Sequence, residues 1–527
     1  MKRIVALVLV VALVLLGLAG AVVAVLDDGG SGSPESSGVV GPPAGAGEDD
    51  PGNGNQQAPD PALQPFYDQE IEWSTCQGMY GESRECGWLE VPLDYDDPEG
   101  TTIEIKLLKR PADDQENVVG PLIVNPGGPG APGTSYADQA EFAFGEPLRE
   151  RFDIIGFDPR GTGESAPVDC LTDDELDAYL AADPSPDDEE ELAEFQEWET
   201  RMGEGCATRS GDISAHISTV EAARDMDVLR GALRQPQMIY FGASYGTVLG
   251  ATYADLFPES SGRLVLDGAV DVSLSSREQD LQQAMGFERA LTAYLDDCVA
   301  GGDCYLGEDT AAAKKTITDF IEQVDEEPMQ VGERVLDVGN AFYGIVLPLY
   351  NHDYWTLLDS ALSDALEGDA AELLQLSDYY GSREDSGYTD NSSEAIWAIN
   401  CLDDNTFTPI EDIPDEIEEF RKVSPTFGDI FAWGLYGCAG LQVPPAEQRP
   451  PLTAKGADPL LVVGTTRDPA TPYEWAEALA DQLEPAILLK RDGDGHTAYN
   501  MGSDCIDDTI EAYLIDGEVP SGMVDCS

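Results

Sequence analysis

Short apolar runs alternate with amphipathic stretches along most of the chain. Six apolar runs predict strands, at residues 103–108, 122–124, 154–157, 238–241, 264–266 and 460–463. Most are apolar at every position, which is typical of strands buried on both faces of a largely parallel sheet. Between two of these runs, residues 219–233 carry apolar side chains at broadly helical spacing. The pattern predicts an α/β protein with a mostly parallel, doubly wound sheet.

Two stretches interrupt this alternation. Residues 173–199 carry thirteen acids, and Leu192, Phe195, Trp198 and Met202 keep a three- to four-residue rhythm there. That rhythm predicts an acidic amphipathic helix whose charges form a solvated face. Residues 272–449 show helical patterns and few strand signals, and we interpret them as a helical cap inserted into the sheet domain. The sheet domain then comprises residues 66–271 and 450–527.

The pattern of charged and apolar residues at the N-terminus indicates that the protein is exported. Lys2 and Arg3 precede an uncharged, mostly apolar run at residues 4–26. Residues 1–26 are therefore a cleaved signal peptide or an uncleaved membrane anchor, and Ala19-Gly20-Ala21 offers a cleavage site. Residues 27–65 follow with nine Gly, seven Pro, seven acids and no base, a composition typical of a disordered tether. We expect the protein to be secreted or anchored to the outer face of the cell membrane, touching the membrane only through an uncleaved N-terminal segment.

The number and spacing of the ten cysteines also indicate an exported protein. They fall into near-neighbour pairs: Cys76/Cys86, Cys170/Cys206, Cys298/Cys304, Cys401/Cys438 and Cys505/Cys526. Disulfides persist outside the cytosol, and short loops are the easiest to close. Five sequential disulfides are the first hypothesis, and other pairings remain open. A metal site is disfavoured, because there is no CxxC pair and the chain has only three His.

The charge of the chain restricts its partners and its habitat. Its 102 Asp and Glu outnumber 28 Lys and Arg, which gives a formal net charge of −74. Such a surface repels phosphate backbones and anionic lipid headgroups, so nucleic-acid binding is excluded. Acidity of this degree suggests a halophilic adaptation, since concentrated salt screens the self-repulsion.

A candidate nucleophile lies in the middle of the chain. Gly242-Ala243-Ser244-Tyr245-Gly246 follows the apolar run 238–241 and precedes a helical pattern that reaches Phe257. Strand, G-x-S-x-G and helix is the context that a nucleophile elbow requires, because the turn is too tight for side chains beside the serine. The sequence therefore predicts Ser244 as the nucleophile of a serine hydrolase.

A serine nucleophile needs a base and an orienting acid. His496 follows the apolar run 486–489, and Asp468 lies just past the predicted strand 460–463. The order Ser, Asp, His is that of α/β-hydrolases, so we predict the triad Ser244, Asp468 and His496. His216 precedes the nucleophile and His352 lies in the predicted cap, so neither fits that order, and we interpret both as structural or surface residues.

Backbone N–H groups should bind the developing oxyanion. One follows the nucleophile and belongs to Tyr245. The other should come from Asn125-Pro126-Gly127-Gly128-Pro129-Gly130, which leaves the predicted strand 122–124. Glycines allow the backbone a close approach there, and Gly128 is the predicted donor.

These motifs together resemble the secreted tripeptidyl-aminopeptidase branch of the proline-iminopeptidase-like α/β-hydrolases. The similarity runs from about Cys76 to Cys526 and includes the turn Phe157-Asp-Pro-Arg-Gly-Thr-Gly-Glu-Ser165 and the segment Asp468-Pro-Ala-Thr-Pro472. Just after Cys438, the chain lacks the Trp-Pro that this branch leads us to expect. The resemblance implies an exported serine exopeptidase that releases short peptides, most simply tripeptides, from free N-termini.

An aminopeptidase needs an anion to hold the substrate's ammonium, and the related iminopeptidases use cap carboxylates for this. Asp403 and Asp404, near the end of the predicted cap, are the candidates. We expect a peptide substrate and no metal or organic cofactor. One alternative is a secreted esterase that uses the same triad, and another is an inactive binding protein attached to the cell envelope.

Overall fold

The computed structural model describes residues 57–446 and 451–527. The strands in chain order are β1 (Ser74–Gln77), β2 (Ser83–Pro92), β3 (Thr102–Arg110), β4 (Gly120–Asn125), β5 (Phe152–Phe157), β6 (Met238–Ala243), β7 (Ser261–Asp267), β8 (Met329–Val331), β9 (Arg334–Leu336), β10 (Arg383–Glu384), β11 (Gly387–Tyr388), β12 (Leu460–Arg467), β13 (Ala486–Asp494) and β14 (Val524–Cys526).

The α-helices in chain order are α1 (Gln64–Tyr67), α2 (Gly133–Asp138), α3 (Ala140–Ala143), α4 (Glu146–Arg151), α5 (Asp173–Ala181), α6 (Glu189–Arg209), α7 (Thr219–Ala232), α8 (Tyr245–Leu256), α9 (Ser276–Gly301), α10 (Thr310–Glu326), α11 (Val338–Leu349), α12 (Trp355–Leu366), α13 (Ala371–Tyr380), α14 (Ser392–Asp403), α15 (Ile413–Val423), α16 (Gly428–Gly434), α17 (Tyr473–Gln482) and α18 (Asp504–Asp516).

One sheet of ten strands forms the centre of the molecule. Its order is β1-β2-β3-β5-β4-β6-β7-β12-β13-β14. The first three pairings are antiparallel, and every pairing from β5 to β14 is parallel. The six predicted apolar runs all lie within strands of this sheet, which confirms a mostly parallel, doubly wound α/β fold of the α/β-hydrolase type.

Helices cover both faces of the sheet. Along β4, Leu122 and Val124 belong to one hydrophobic cluster and Ile123 to another, because alternate side chains of a strand point to opposite faces. Buried residues of α7 and α8 belong to the cluster of Ile123, whereas those of α4 and α18 belong to the other. Burial on both faces explains why these strands are apolar at nearly every position.

The predicted helical cap lies between β7 and β12. It contains α9 to α16 and two short hairpins, β8–β9 and β10–β11. Ser275 caps α9, since its hydroxyl accepts from the Glu278 N–H and the Glu278 carboxylate accepts from the Ser275 N–H. Most of the cap packs around its own cluster of buried apolar residues, among them Phe287, Leu291, Ile345, Leu358, Leu362 and Phe427. The cap therefore has a hydrophobic core of its own.

The acidic segment forms two helices, α5 and α6, and the amphipathic prediction is confirmed. The ring of Phe195 lies 5.7 Å from that of Trp433 in the cap. One acid of the segment, Glu199, is buried and accepts a hydrogen bond from Trp397 Nε1 at 3.2 Å. The segment thus packs against the cap on one side, and the interpretation of its acids as a solvated face fails at Glu199.

The packed part of the chain begins earlier than Phe66. Ala58 and Leu63 are buried in the cluster of α7 and α8, and the Tyr67 hydroxyl donates to Asp227 at 2.6 Å. The last residues of the expected tether are therefore packed, because the few apolar side chains there find space on the sheet domain. The expected signal or anchor and the rest of the tether lie outside the described residues. In the part of the chain that the structure describes, no helix has both the length and the apolar character needed to cross a membrane.

All five predicted disulfides are present, and each joins sequential cysteines. No free cysteine remains among the described residues. Five disulfides in one chain are typical of a protein that folds outside the cytosol.

Candidate active site

Ser244 lies in the turn between β6 and α8. Its backbone angles are φ 56° and ψ −126°, a conformation that non-glycine residues rarely adopt and that marks strained functional turns. A Cβ at Gly242 would lie 2.4 Å from the Gly246 carbonyl oxygen, and one at Gly246 would lie 2.9 Å from that of Asn125. No residue larger than glycine fits at either position, because its Cβ would lie too close to a carbonyl oxygen. The strand, elbow and helix arrangement is as the sequence predicts.

Asp468 and His496 follow neighbouring parallel strands. Arg467 at the end of β12 is in register with Asp494 at the end of β13, so the residues that follow meet at one edge of the sheet. His496 Nδ1 lies 2.9 Å from each carboxylate oxygen of Asp468. Both side chains are buried, each residue being 3% exposed. The structure thus brings the predicted acid and base into contact.

The Asp468 carboxylate is held by several donors besides the imidazole. The N–H groups of Ala470 and Thr471 donate to Oδ1 at 2.9 and 2.8 Å. The Thr497 N–H donates to Oδ2 at 3.1 Å. Such a carboxylate is fixed in position and presents its charge to Nδ1.

The surroundings of His496 raise the pKa of its imidazole. Burial by itself lowers its pKa, but the charge of Asp468, the hydrogen bond to it and the charge of Asp267 together raise the pKa above its usual value. A hydrogen bond from Nδ1–H to Asp468 leaves Nε2 as the proton acceptor. Nε2 is buried, and within the described residues it has no hydrogen-bond partner. The Ser244 hydroxyl is therefore not hydrogen-bonded to it here, as is common before substrate binds.

Asp267, the last residue of β7, is a site residue that the sequence analysis missed. Its carbonyl accepts from the Ser244 N–H at 2.8 Å, and its carboxylate accepts from the N–H groups of Ala498 and Tyr499, each at 2.9 Å. Asp267 therefore connects the turn that carries Ser244 with the loop of His496. Burial raises its pKa to about 6, against the effect of the two N–H donors. The sequence did contain a signal for Asp267, since it is an acid directly after a predicted apolar strand.

Thr471 is a second residue that the sequence analysis missed. Its hydroxyl lies 2.9 Å from Asp468 Oδ2 and 3.2 Å from His496 Nδ1. A threonine three residues after the acid can reach back to its carboxylate, and that spacing was visible in the sequence. The contact fixes the carboxylate against the imidazole.

The glycine-rich loop after β4 lies against the elbow. A Cβ at Gly127 would be 2.8 Å from Ser244 Cβ and 3.0 Å from the Tyr245 nitrogen. The Gly127 N–H is already used, since it donates to Asn125 Oδ1 at 3.0 Å. The next N–H in the loop is that of Gly128, the predicted oxyanion donor. The Tyr245 N–H belongs to the first residue of α8 and so has no acceptor within the helix.

The candidate amine ligands Asp403 and Asp404 lie at the end of α14. The Asp403 carboxylate accepts from the Thr219 N–H at 3.0 Å, and the Thr219 hydroxyl also contacts the Tyr245 hydroxyl at 2.5 Å. Asp404 accepts from the Ser276 hydroxyl at 2.5 Å. Both carboxylates thus have donors within the protein, and their binding of an amine stays a prediction.

His216 and His352 contribute nothing to this site. His216 Nδ1 lies 3.3 Å from Glu221, and His352 is exposed. Among the described residues, two side-chain groups could hold a cation, namely Asp94 with His216 and Glu221, and Asp183 with Glu191 and Asp325. Neither includes a residue of the candidate active site.

Comparisons with known proteins agree with the geometry. The family described as TAP-like protein matches residues 424–526. The serine protease Hip1 of Mycobacterium tuberculosis is 35% identical over 481 residues, which are 88% of this chain and 92% of that protein. Carboxylesterase B of the same species is 33% identical over 505 residues, 93% and 95% of the two chains. A tripeptidyl aminopeptidase of Streptomyces lividans is 29% identical over 474 residues, 87% and 86% of the two chains.

Proposed function

The chain belongs to the TAP-like α/β-hydrolases, and we propose that it is an exported serine exopeptidase that releases short peptides, tripeptides in the first instance, from free N-termini. That it is a serine hydrolase follows from its family. The exopeptidase activity, the roles of individual residues and the export are the proposal. The residues involved are Ser244, Asp468 and His496, with the N–H groups of Gly128 and Tyr245.

One observation carries the proposal: His496 has its Nδ1 fixed by Asp468, while its buried Nε2 has no hydrogen-bond partner among the residues that the structure describes. In the proposed reaction, the Ser244 hydroxyl attacks the scissile carbonyl and Nε2 takes its proton. The tetrahedral intermediate then collapses, and Nε2 gives that proton to the departing amine. Water repeats the sequence on the acyl-enzyme, which releases the peptide acid and restores Ser244.

The negative oxygen of the tetrahedral intermediate needs donors that are fixed before the reaction. The N–H groups of Gly128 and Tyr245 come from two neighbouring segments, because the loop after β4 lies against the turn that carries Ser244. Each donor of this kind typically contributes about 2.7–4 kcal/mol to the stability of the transition state.

The cap favours chain ends over chain interiors as substrates. The Tyr350 carbonyl, at the end of α11, accepts from the His496 N–H at 2.7 Å. A Cβ at Gly130 in the oxyanion loop would lie 2.8 Å from Ala395 Cβ of α14. Two parts of the cap thus contact the loops that carry the catalytic groups, and a covered site of this kind admits a terminus more easily than a continuous chain. One relative is named a serine protease and another a tripeptidyl aminopeptidase.

Export and salt adaptation complete the proposal. The five disulfides support folding outside the cytosol. The net charge of −74 supports activity in concentrated salt. We expect both activity and stability to rise with salt concentration.

The test compares alanyl-alanyl-alanyl-p-nitroanilide with its N-acetylated form, in high salt. Cleavage of the free form alone, absent from Ser244→Ala, is the expected result. Equal cleavage of both forms would contradict an exopeptidase that requires a free N-terminus. Labelling by a fluorophosphonate in the wild type and its absence in Ser244→Ala test the nucleophile separately, and no labelling of the wild type would contradict the proposed serine chemistry.

A secreted esterase is the second candidate, because one relative is named a carboxylesterase. The same triad and oxyanion donors would cleave an ester. If short-chain p-nitrophenyl esters are hydrolysed and neither peptide anilide is cut, the esterase is favoured and the exopeptidase is wrong.

A further inference from the structure

We propose that Tyr350 is a positioning residue for the base: its ring, held by the core of the cap, keeps the imidazole of His496 in the orientation that the reaction needs. The inference rests on the proposed function, in which His496 is the base, and it gives the cap a part in the reaction itself. The two residues are far apart along the chain, so no local pattern in the sequence marks Tyr350.

The hydrogen bond to Asp468 holds only one edge of the imidazole. Nδ1 lies 2.9 Å from each of the two carboxylate oxygens, so its hydrogen bond can pass from one oxygen to the other as the ring tilts. The Thr471 hydroxyl, at 3.2 Å, contacts the same nitrogen. Nε2 is the atom that must face the Ser244 hydroxyl, and it lies on the other side of the ring. Its direction therefore depends on what packs against the rest of the imidazole.

The sheet domain leaves space beside the imidazole. Gly268 follows β7 directly, and a Cβ there would lie 3.1 Å from His496 Cε1. The φ of Gly268 is 69°, a conformation that glycine adopts without strain. The neighbour of Cε1 in the sheet domain therefore contributes no side chain that could pack on the ring.

The cap supplies such a side chain. The ring centroid of Tyr350 lies 5.6 Å from that of the His496 imidazole, and the two planes meet at 80°. This is the edge-to-face arrangement that aromatic pairs favour. The imidazole can tilt toward the cap only if the Tyr350 ring moves.

The backbone of Tyr350 holds the same loop. Its carbonyl accepts from the His496 N–H at 2.7 Å. A Cβ at Gly495 would lie 2.9 Å from that carbonyl oxygen and 3.4 Å from Asn351 Cα, so the two backbones are in direct contact. The carbonyl thus fixes the main chain of His496, and the ring lies against its side chain.

The cap in turn fixes the Tyr350 ring. The ring of Phe287, on α9, lies 5.4 Å from it, and Phe287 is buried in the hydrophobic cluster of the cap. The hydroxyls of Tyr350 and Tyr380 interact with each other, and the Tyr380 ring stacks on that of Tyr343 at 4.7 Å. These partners belong to α9, α13 and α11. Packed support of this kind can hold a catalytic group within about 0.5 Å of its working position.

The experiment compares three variants with the wild type. Tyr350→Leu removes the ring, Tyr350→Phe keeps the ring without its hydroxyl, and Tyr379→Leu is the matched control. Tyr379 is half-buried against the same hydrophobic cluster of the cap, and its hydroxyl accepts from Gln375. In the described part of the chain it has neither a ring contact nor a hydrogen bond with His496.

Each variant is assayed for kcat and KM on alanyl-alanyl-alanyl-p-nitroanilide and on p-nitrophenyl acetate. A displacement of about 1 Å at a catalytic group can cost about 100-fold in rate, so kcat of Tyr350→Leu should fall about 10- to 100-fold on both substrates. KM should change less than about threefold, because the ring is proposed to act on the base and not on the substrate. Tyr350→Phe should keep kcat within about threefold of the wild type, and Tyr379→Leu within about twofold.

Three kinetic results would overturn the proposal. The first is an unchanged kcat in Tyr350→Leu. The second is an equal loss in Tyr379→Leu, which would indicate a general effect of the cap core. The third is an equal loss in Tyr350→Phe, which would assign the effect to the hydroxyl. Melting temperatures check that each variant is folded, and Tyr350→Met, whose flexible side chain fills irregular space, replaces Tyr350→Leu if the latter does not fold.

A second measurement does not depend on hydrolysis and so separates this proposal from the proposed function. The chain has three His, so selective isotope labelling of histidine gives few NMR signals, and His496→Gln identifies those of His496. The Nδ1–H that donates to Asp468 should give a sharp proton resonance in the wild type, Tyr350→Phe and Tyr379→Leu.

That resonance should broaden in Tyr350→Leu, because a ring that tilts exposes its N–H to exchange. If the wild type hydrolyses neither substrate, broadening confined to Tyr350→Leu would support the positioning of His496 although the proposed function is wrong. A resonance that stays sharp in Tyr350→Leu would overturn the positioning role, whatever the enzyme hydrolyses.

Discussion

The carboxylates at the edge of the sheet differ from that of Glu199, a buried acid of α6, in the donors they accept from. Asp468 accepts from backbone N–H groups, from Thr471 and from His496. Asp267 accepts from the N–H groups of Ala498 and Tyr499. Glu199 accepts from the Trp397 indole at 3.2 Å and from the Tyr179 hydroxyl at 3.4 Å. All three are buried or enclosed by protein, so burial alone does not distinguish them.

The difference indicates what each carboxylate is for. Donors that belong to the protein hold a carboxylate in one place, and this suits groups that must orient other groups. The donors of Glu199 are two side chains, and this carboxylate has no proposed catalytic role. We therefore expect changes at the sheet edge to affect every substrate, and a change at Glu199 to affect the stability of the fold and not the reaction.

The largest effect should come from Ser244→Ala. Removal of the nucleophile should lower kcat on the order of 10⁶-fold, on free peptide, acetylated peptide and ester alike. Progress curves at high enzyme concentration measure the residual rate. A Ser244→Ala variant that kept more than a hundredth of the wild-type rate on any of them would place the chemistry elsewhere.

Asp267→Asn should have the next largest effect. The amide replaces one of the two carboxylate oxygens with an NH2 group, which faces the N–H of Ala498 or Tyr499 instead of accepting from it, so the loop of His496 should shift. A displacement of about 1 Å at a catalytic group can cost about 100-fold in rate, and we expect that loss in kcat on all substrates. Asp297→Asn removes the same charge from an exposed position and should leave kcat unchanged. Unaltered kcat in Asp267→Asn would show that Asp267 does not position the base.

The pH dependence of kcat/KM in the wild type and in Asp267→Asn tests the same carboxylate in a second way. His496 acts as a base only when it is neutral, and the Asp468 and Asp267 charges raise its pKa. The acid limb of kcat/KM should therefore lie above about pH 6.5 in the wild type. Loss of the Asp267 charge should move that limb to lower pH in the residual activity of Asp267→Asn. A limb that stays in place, or moves to higher pH, would contradict the influence of Asp267 on the base.

The smallest predicted effect is on thermal stability. It concerns Glu199, which accepts few hydrogen bonds and has no proposed catalytic role. Burial raises its pKa to about 7, although Trp397 and Tyr179 donate to it. The folded state thus holds a proton that the unfolded state releases, and stability should fall as pH rises from about 4.5 to 7. Glu199→Gln removes this pH dependence. The melting temperature of the variant minus that of the wild type should therefore increase by roughly 1–3 °C as the pH rises from about 4.5 to 7.

Glu204→Gln, on the exposed side of the same helix, is the control for Glu199. It should melt in parallel with the wild type at every pH. If Glu199→Gln also melts in parallel, Glu199 does not hold the extra proton.

The strands and the tight turn at Ser244 could be predicted from the sequence because each is encoded locally. A strand buried on both faces must be apolar along its length, and the turn at Ser244 needs small neighbours. The contact between Asp468 and His496 required one further step, namely that adjacent parallel strands end at the same edge. The packing of Ala58 and Leu63 could not be predicted, because isolated apolar residues in a Pro-rich segment show no periodicity.

Glu199 shows where the sequence stops being informative. The chain has 102 acids, and nothing in their spacing separates an exposed acid from a buried one. Asp403 and Asp404 were chosen for their position along the chain, and the structure gives both of them donors from the protein. Local patterns therefore determined the fold class and the tight turn at Ser244. Only the tertiary structure decided which carboxylates are buried and which donors hold them, because that depends on which distant segments pack together.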